Sequence, residues 1–379
     1  MPAYITGLGV CLPNPPVDND RIEDVLGMVD DRPSRLKEVI LARNGIQTRH
    51  YAIDPETGEQ THTNAELTAE AIRTLADSSG FSLDNIQLLA CGSSSPDQFI
   101  PNHAAMVHGL IRCPPCELVA TAGVCCSGMT ALKYAALSVA AGASANAMVT
   151  ASELASAVLR ASHFESQADA NGHEPLSLSF DQEFLRWMLS DAAAAALIED
   201  TPGRGRIALR IDWLDILSFA NELETCMYAG AVKCADGTLR TWHEEGNLSE
   251  MWAQGYFNLS QDVSVLEKHL LPVAVRQSFT RMRDKRQLTP DAIDWLLPHL
   301  SSEIFREPIR GVLESLGFVV PREKWFTNLS RKGNTGSASI FVMLEELFSS
   351  GRLKKGDRIL CAVPESARFT FAYMHLTVV

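Results

Sequence analysis

Apolar and polar residues alternate along the chain in blocks of strand and helix length. Three apolar runs have strand length, at residues 3–13, 86–91 and 147–151. Two further segments repeat apolar residues at helical spacing, at residues 64–78 and 129–141. Asn64 is a suitable N-cap for the first of these helices, and Gly142 ends the second. Strands and helices in alternation predict an α/β fold.

Two blocks of this pattern occur twice, in the same order and at nearly the same distance along the chain. Residues 81–95 resemble residues 287–302, and residues 126–142 resemble residues 335–351. Convergent α/β patterning would explain either match alone, whereas the two together indicate a duplicated α/β unit. We therefore predict an N-terminal half over residues 1–205 and a C-terminal half over residues 206–379.

A cysteine pair stands where the sequence predicts a junction of strand and helix. Cys125 and Cys126 lie within GVCCSGM, residues 123–129, at the start of the helix. A thiol at a helix N-terminus meets the positive end of the macrodipole and free backbone N–H groups, which lower its pKa and make it a nucleophile. Core packing of small residues is the alternative, and the segment alone does not decide between the two thiols.

Two polar side chains of the C-terminal half stand at comparable positions. His299, in LLPHLSS, follows a predicted strand, and Asn334 lies in the glycine-containing turn RKGNTGSAS that the repeat aligns with the cysteine turn. Each alone is compatible with a structural role, as a satisfied histidine or a turn-forming asparagine. A pseudo-twofold arrangement of the two halves would bring the cysteine, His299 and Asn334 together.

Motifs strung along nearly the whole chain resemble the ketoacyl-ACP synthase III family of condensing enzymes. They are AYITGLGVCLP, ARNGIQTRHYA, SSSPDQFIPN, CCSGM, MLSDAAAAALIE, WLLPHL and RKGNTGSAS. The resemblance implies the thiolase-like, five-layered α-β-α-β-α fold, usually as a homodimer. It also implies Cys126 as the nucleophile, with His299 and Asn334 as the other two catalytic groups.

A mechanism follows from this resemblance. The Cys126 thiolate takes an acyl group from a thioester, with the backbone N–H groups of Cys126 and Ser366 as the oxyanion hole. His299 and Asn334 donate hydrogen bonds to the thioester oxygen of a malonyl or 3-oxoacyl partner and stabilise its enolate. The carbanion attacks the acyl group, and a C–C bond forms. The implied substrates are thioesters of acyl carrier protein or coenzyme A, without a cofactor.

Some positions depart from the family pattern. Val39 stands where relatives that take coenzyme A carry a tryptophan, which favours a carrier-protein substrate. A basic segment is a candidate dock for an acidic carrier protein, through Arg276, Arg281, Arg283, Lys285 and Arg286. A solvated helix face is the alternative for this segment. Ser366 stands where the family has a glycine.

The segments PESARFTFAYMHLTVV and RNGIQTRHYAID are similar to the secondary-metabolism branch of the family. That branch includes enzymes that join a 3-oxoacyl and an enoyl thioester into a cyclohexanedione, the precursor of dialkylresorcinols and stilbenes. Glu153 is then a candidate base for a later Michaelis or Claisen step, with a structural carboxylate as the alternative. Acyl transfer to an alcohol or amine, and an inactive partner subunit of a synthase, are the alternative functions.

Composition argues against several other classes of function. The chain of 379 residues has a formal net charge of -13, which repels the phosphates of nucleic acid. No apolar run reaches the roughly 18 residues that a membrane span needs. Nine cysteines, several of them in apolar runs, fit reduced thiols and a cytoplasmic location better than a disulfide framework. Cys113 and Cys116 have CxxC spacing, but without a second pair they predict no metal site.

Overall fold

The computed structural model describes residues 1–164, 178–203 and 207–379. The strands in these ranges are β1 (Ala3–Cys11), β2 (Val17–Asp18), β3 (Thr48–Arg49), β4 (Leu88–Ser93), β5 (Glu117–Ala122), β6 (Asn146–Glu153), β7 (Ala192–Glu199), β8 (Leu209–Ser218), β9 (Met227–Tyr228), β10 (Ala231–Lys233), β11 (Leu239–Thr241), β12 (Ser260–Gln261), β13 (Trp295–Pro298), β14 (Arg358–Glu365) and β15 (Thr370–Val378). The predicted boundary between the halves, at residues 205 and 206, lies outside the described residues and stays a prediction.

The α-helices in the same ranges are α1 (Ile22–Leu26), α2 (Lys37–Asn44), α3 (Asn64–Ser79), α4 (His103–Ile111), α5 (Ser127–Ala141), α6 (Ser156–Leu159), α7 (Phe180–Arg186), α8 (Leu248–Ala253), α9 (Val263–His269), α10 (Phe279–Arg286), α11 (Arg306–Ser315), α12 (Leu329–Lys332) and α13 (Ser339–Ser349). A π-helical stretch, Leu270–Ser278, joins α9 to α10. Within the described ranges, no helix is both long enough and apolar enough to cross a bilayer.

Nine strands form one sheet, in the order β13-β14-β15-β8-β1-β7-β6-β4-β5. The strand pairing repeats in two parts of this sheet, a first part with β1, β7, β6, β4 and β5 and a second part with β13, β14, β15 and β8. β4 runs parallel to β6 as β13 does to β14, and β7 pairs antiparallel with β6 and β1 as β15 does with β14 and β8. β1 and β8 join the two parts through a short antiparallel contact, from Ala3–Ile211 to Ile5–Leu209. A duplicated unit would produce this repetition.

Three layers of helices enclose the two parts of the sheet. The central layer is α5 and α13, which share one core with both parts through buried residues such as Met129 and Phe341. α3 and α4 cover the first part, and α9, α10 and α11 cover the second. β7 is buried on both faces, since Ala194 and Ala196 join the central core while Ala193 and Ala195 join the outer one. The result is the five alternating layers that the family resemblance implied.

α3 is confirmed as a helix, but its cap differs from the prediction. Thr63 is the N-cap: its hydroxyl accepts the Glu66 N–H at 3.2 Å, and the Glu66 carboxylate accepts the Thr63 N–H at 2.8 Å. The prediction of Asn64 as the cap is wrong, because its side-chain amide donates to Ser93 Oγ and to the carbonyl of Ser95. That contact ties the start of α3 to the end of β4.

α5 begins one residue after the cysteine pair, with Cys126 as its N-cap, and ends at Gly142 in the left-handed region (φ 75°). Its first turn packs closely against β6 and α13. A Cβ on Gly128 would lie 2.5 Å from the Cβ of Ala151 and 2.9 Å from the ring of Phe341. Glycine is therefore required at this position, and the start of α5 is fixed against both neighbours.

Candidate active site

A cavity of about 780 Å³ is lined by residues from both parts of the sheet. His299, Asn334, Glu153 and Ser366 all line it, so the structure brings these four predicted site residues together. The cysteine that lines the cavity is Cys125. Most of the remaining lining side chains are apolar, as suits an acyl chain.

Cys126 differs from the sequence prediction in its orientation. Its Sγ lies 3.4 Å from the carbonyl oxygen of Val363 and 3.6 Å from that of Thr370, in the core beside β14 and β15. Cys126 is 2% exposed and Cys125 is 8% exposed. Cys126 is the N-cap of α5, and Cys125 is the residue before it. In this conformation Cys125, and not Cys126, is among the residues that line the cavity.

The expectation of an acidic thiol at this helix is wrong for the unacylated protein. Burial raises the pKa of Cys126 well above its usual value, and the Glu365 carboxylate raises it further. Burial and the Glu365 carboxylate also raise the pKa of Cys125. The N–H groups of Cys126 and Val124 do not act on a thiolate, because Oε2 of Glu365 accepts both, at 3.1 and 3.0 Å. The carboxylate thus takes the place at the helix N-terminus that the prediction assigned to the thiolate and the oxyanion.

His299 follows β13 directly, and its backbone N–H donates to the carbonyl of Ala362 at 2.8 Å. The side chain is buried, and its Nε2 has no hydrogen-bond partner among the described residues. Burial lowers the pKa of His299 to about 4, so the ring is neutral at physiological pH. Because buried polar atoms normally have a hydrogen-bond partner, this ring nitrogen at the cavity wall is available to form a hydrogen bond with a polar atom of a ligand.

Asn334 is held by contacts on both sides of its peptide. Its N–H donates to the carbonyl of Met188 at 3.2 Å, and its carbonyl accepts the Ser190 N–H at 2.9 Å. Its side-chain Oδ1 accepts the Gly336 N–H at 3.1 Å. The amide nitrogen is therefore the atom left to donate to a ligand in the cavity.

Glu153 ends β6 in a cradle of hydroxyl and backbone donors. Its Oε2 accepts the hydroxyls of Ser94 and Ser95, at 2.5 and 2.7 Å, and its Oε1 accepts the N–H groups of Ser94 and Ser337, at 3.2 and 3.3 Å. Gly336 (φ 53°) passes so close that a Cβ there would lie 2.7 Å from Glu153 Cγ. Burial raises the pKa of Glu153, while these hydrogen bonds oppose the rise. The carboxylate is fixed in place at the cavity wall.

Part of the basic segment forms ion pairs with carboxylates of the same chain. Lys285 and Arg286 both contact Asp215, at 2.7 and 2.6 Å, and Arg283 contacts Asp284 at 2.9 Å. These three positive charges are already paired with carboxylates, which weakens their electrostatic attraction for an acidic partner protein.

α4 brings His108 to the CxxC pair that the sequence showed. One possible ligand atom from each of His108, Cys113 and Cys116 lies within 4.8 Å of the other two. The ring nitrogen Nε2 of His108 lies 3.2 Å from the carbonyl oxygen of Cys113. Three donors leave a tetrahedral zinc set one ligand short, and none of the three lines the cavity.

Sequence reasoning missed Glu365 and the serine cradle of Glu153. A glutamate closing an otherwise apolar strand, in LCAVPES, was the available signal for the first. For the cradle, the only signal was the run of three serines at residues 93–95, which opens the motif SSSPDQFIPN. Neither signal could show which carboxylate the serines bind, because the contacts join distant parts of the chain.

The neutral state of His299 predicts a pH effect on stability. The pKa is about 4 in the folded protein against 6.5 for the unperturbed side chain. As the pH falls from 6.5 toward 4, the unfolded chain gains a proton that the folded protein excludes, so stability is lost. At about 1.4 kcal/mol per pH unit, the loss is about 3 kcal/mol. Urea unfolding at pH 6.5 and pH 4 should show this extra loss in wild type relative to His299→Asn. Equal losses in both proteins would contradict a buried neutral ring.

Comparison with known proteins bears on the chemistry of this cavity. Residues 284–364 match the family model of the 3-oxoacyl-[acyl-carrier-protein (ACP)] synthase III C-terminal region. A beta-ketoacyl-[acyl-carrier-protein] synthase III of Clostridium perfringens is 24% identical over 361 residues, covering 94% of each chain. One from Sphingopyxis alaskensis is 26% identical over 362 residues, again covering 94% of each chain.

Among solved structures, the fold is similar to AbyA1, a tetronic acid condensing enzyme. The TM-score is 0.75 at 20% identity, and the match covers 99% of both chains. The structural likeness supports the thiolase-like fold, and the sequence matches support the enzyme class. Over 94% of its length the chain is therefore similar to beta-ketoacyl-ACP synthase III enzymes, which are condensing acyltransferases, and residues 284–364 match that family's C-terminal model.

Proposed function

We propose that this enzyme joins two acyl thioesters by forming a C–C bond, with the first acyl group carried on Cys126. The observation that supports this most is that Cys125, the direct neighbour of Cys126, lines one mostly apolar cavity together with His299, whose Nε2 is unpartnered among the described residues, and Asn334. The acyl chain occupies the apolar part of the cavity. His299 and Asn334 donate to the thioester oxygen of the second substrate and stabilise its enolate. The Cys126 side chain leaves the carbonyls of Val363 and Thr370 when substrate arrives.

Acyl carrier protein is the proposed carrier of the substrates. Val39 is exposed and offers no ring for stacking an adenine, at the position where relatives that take coenzyme A carry a tryptophan. Within the basic segment, Arg276 and Arg281 are exposed and contact Ser315 Oγ and the ring of Phe219 rather than a carboxylate. These two arginines are the part of the segment available to an acidic partner.

The proposed product class is a cyclohexanedione formed from a 3-oxoacyl and an enoyl thioester. Glu153 supports this proposal, because a second bond-forming step needs a base, and this carboxylate is fixed at the cavity wall. Deprotonation of the linear intermediate by Glu153 would precede ring closure. A homodimer is proposed from the family resemblance.

The decisive experiment combines the purified protein with a panel of saturated and 2-enoyl carrier thioesters, with and without malonyl or 3-oxoacyl partners. Intact-mass spectrometry should reveal an acyl adduct on the protein, and peptide mapping should place it on the peptide that holds residues 125 and 126. Chromatography should reveal a condensed product. Glu153→Gln should keep the adduct and the linear product but lose the cyclic one. Absence of any adduct would refute the proposed function and favour an inactive partner subunit.

A further inference from the structure

Glu365 ends β14 with its carboxylate turned to the cysteine pair. Its Oε2 lies 3.1 Å from the Cys126 nitrogen and 3.0 Å from the Val124 nitrogen, in the anion-binding position at the N-terminus of α5. The residue is 7% exposed. A carboxylate is thus buried in contact with the backbone of the proposed nucleophile, near enough to raise the pKa of both thiols.

We propose that Glu365 is the base that removes the Cys126 thiol proton during acylation. This inference rests on the proposed function, because it assigns the first step of that reaction. The step needs a base, since burial and the neighbouring carboxylate keep the pKa of Cys126 high and the thiol protonated. His299 is a poor acceptor, because burial lowers its pKa to about 4.

The chemistry balances without any further reactant. Glu365 accepts the proton of the Cys126 Sγ–H bond as the sulfur attacks the carbonyl carbon of the thioester. The tetrahedral intermediate collapses, the C–S bond to the carrier thiol breaks, and the departing sulfur takes the proton from Glu365. Once protonated, the carboxyl no longer holds the two N–H groups as strongly, so they become available to the acyl oxygen. Proton transfer and the opening of the oxyanion site are therefore one event.

Besides Glu365, the titratable groups near Cys126 or its neighbour Cys125 are Cys125 itself before α5, Glu153 at the end of β6, His299 after β13 and Tyr373 in β15. Burial raises the pKa of Tyr373 and lowers that of His299, so both stay neutral near pH 7. The carboxyls close to the two thiols are Glu153 and Glu365, and burial raises the pKa of both. A variant at Glu365 identifies which of them limits the reaction at low pH.

The test measures two rates between pH 5.5 and 9: alkylation of the protein by iodoacetamide, and acylation by a short acyl thioester of N-acetylcysteamine. Wild type, Glu365→Gln and Glu183→Gln are compared, with peptide mapping at residues 125 and 126. Glutamine keeps an oxygen for the two N–H groups but cannot take a proton. Glu183 is a matched control, since it is also buried, binds Ser34 and Trp187, and does not line the cavity.

We expect Glu365→Gln to slow both reactions by about 10²-fold at pH 7, the usual contribution of a general base. The wild-type rate should rise through the raised pKa of Glu365 and then level off, whereas the variant rate should keep rising with pH. Equal or faster reaction of Glu365→Gln would overturn the proposal, because the carboxylate would then only hold the thiol protonated. If Glu365→Gln does not fold, the pH profile of wild type decides alone. A wild-type rate that rises up to pH 9 without levelling off would also overturn the proposal. A wild type that is alkylated but never acylated would instead refute the proposed function.

Discussion

Replacing Cys126 with alanine is expected to abolish the acyl adduct and to lower the rate of condensation by at least about 10³-fold, since the proposed carrier of the acyl chain is then missing. The expectation rests on the CCSGM motif and on the position of Cys126 at the first turn of α5. Intact-mass spectrometry after exposure to a carrier thioester gives the adduct, and a product assay gives the rate.

Cys125→Ala is the matched control for this experiment, because it removes the neighbouring thiol that lines the cavity. We expect this variant to keep the adduct and most of the activity. The opposite pattern, with the adduct lost in Cys125→Ala and kept in Cys126→Ala, would assign the nucleophile to Cys125, the cysteine that lines the cavity. The fold and the remaining site residues would be unaffected by that outcome.

Replacing His299 with alanine is expected to lower condensation by about 10²–10³-fold while the adduct on the cysteine still forms. Loss of one preorganised donor to a developing oxyanion costs about that much. Asn334→Ala should behave in the same way, because both side chains act on the second substrate. Single-turnover measurements separate the two steps: adduct formation without the partner thioester, then product release when it is added.

His375→Gln serves as the control for His299→Ala. His375 is also buried, but it contacts Asp212 and the carbonyl of Ala292 and lies outside the cavity. Full condensation by Asn334→Ala would contradict enolate stabilisation and favour acyl transfer to an alcohol or amine, which needs the cysteine but not this donor.

The elements of the fold were predictable where local pattern and tertiary structure agree. α3 and α5 follow from apolar residues at helical spacing, and the repeated blocks reappear as repeated strand pairing. The cap of α3 was not predictable, because Asn64 and Thr63 are both good caps and the choice depends on Ser93 and Ser95, about thirty residues away. Short pairing such as that of β1 with β8 likewise has no local signal.

The site was predictable in its residue types but not in its electrostatics. The helix N-terminus alone predicts an acidic thiol, and the structure gives the opposite direction because Glu365 stands at the same place. Glu365 is 239 residues from Cys126, so no local pattern connects them. The same holds for the basic segment, where Asp215 neutralises residues that look free in the sequence.

The strand β15 supplies the carbonyl of Thr370 that the Cys126 sulfur contacts, although the two residues are 244 positions apart. On the ribosome, both cysteines emerge long before this strand, His299 or Asn334 are made. The nascent chain therefore presents accessible thiols that lack the proposed base and the proposed oxyanion donors. In the proposed mechanism acylation has to wait for the finished polypeptide, in which both cysteines are buried.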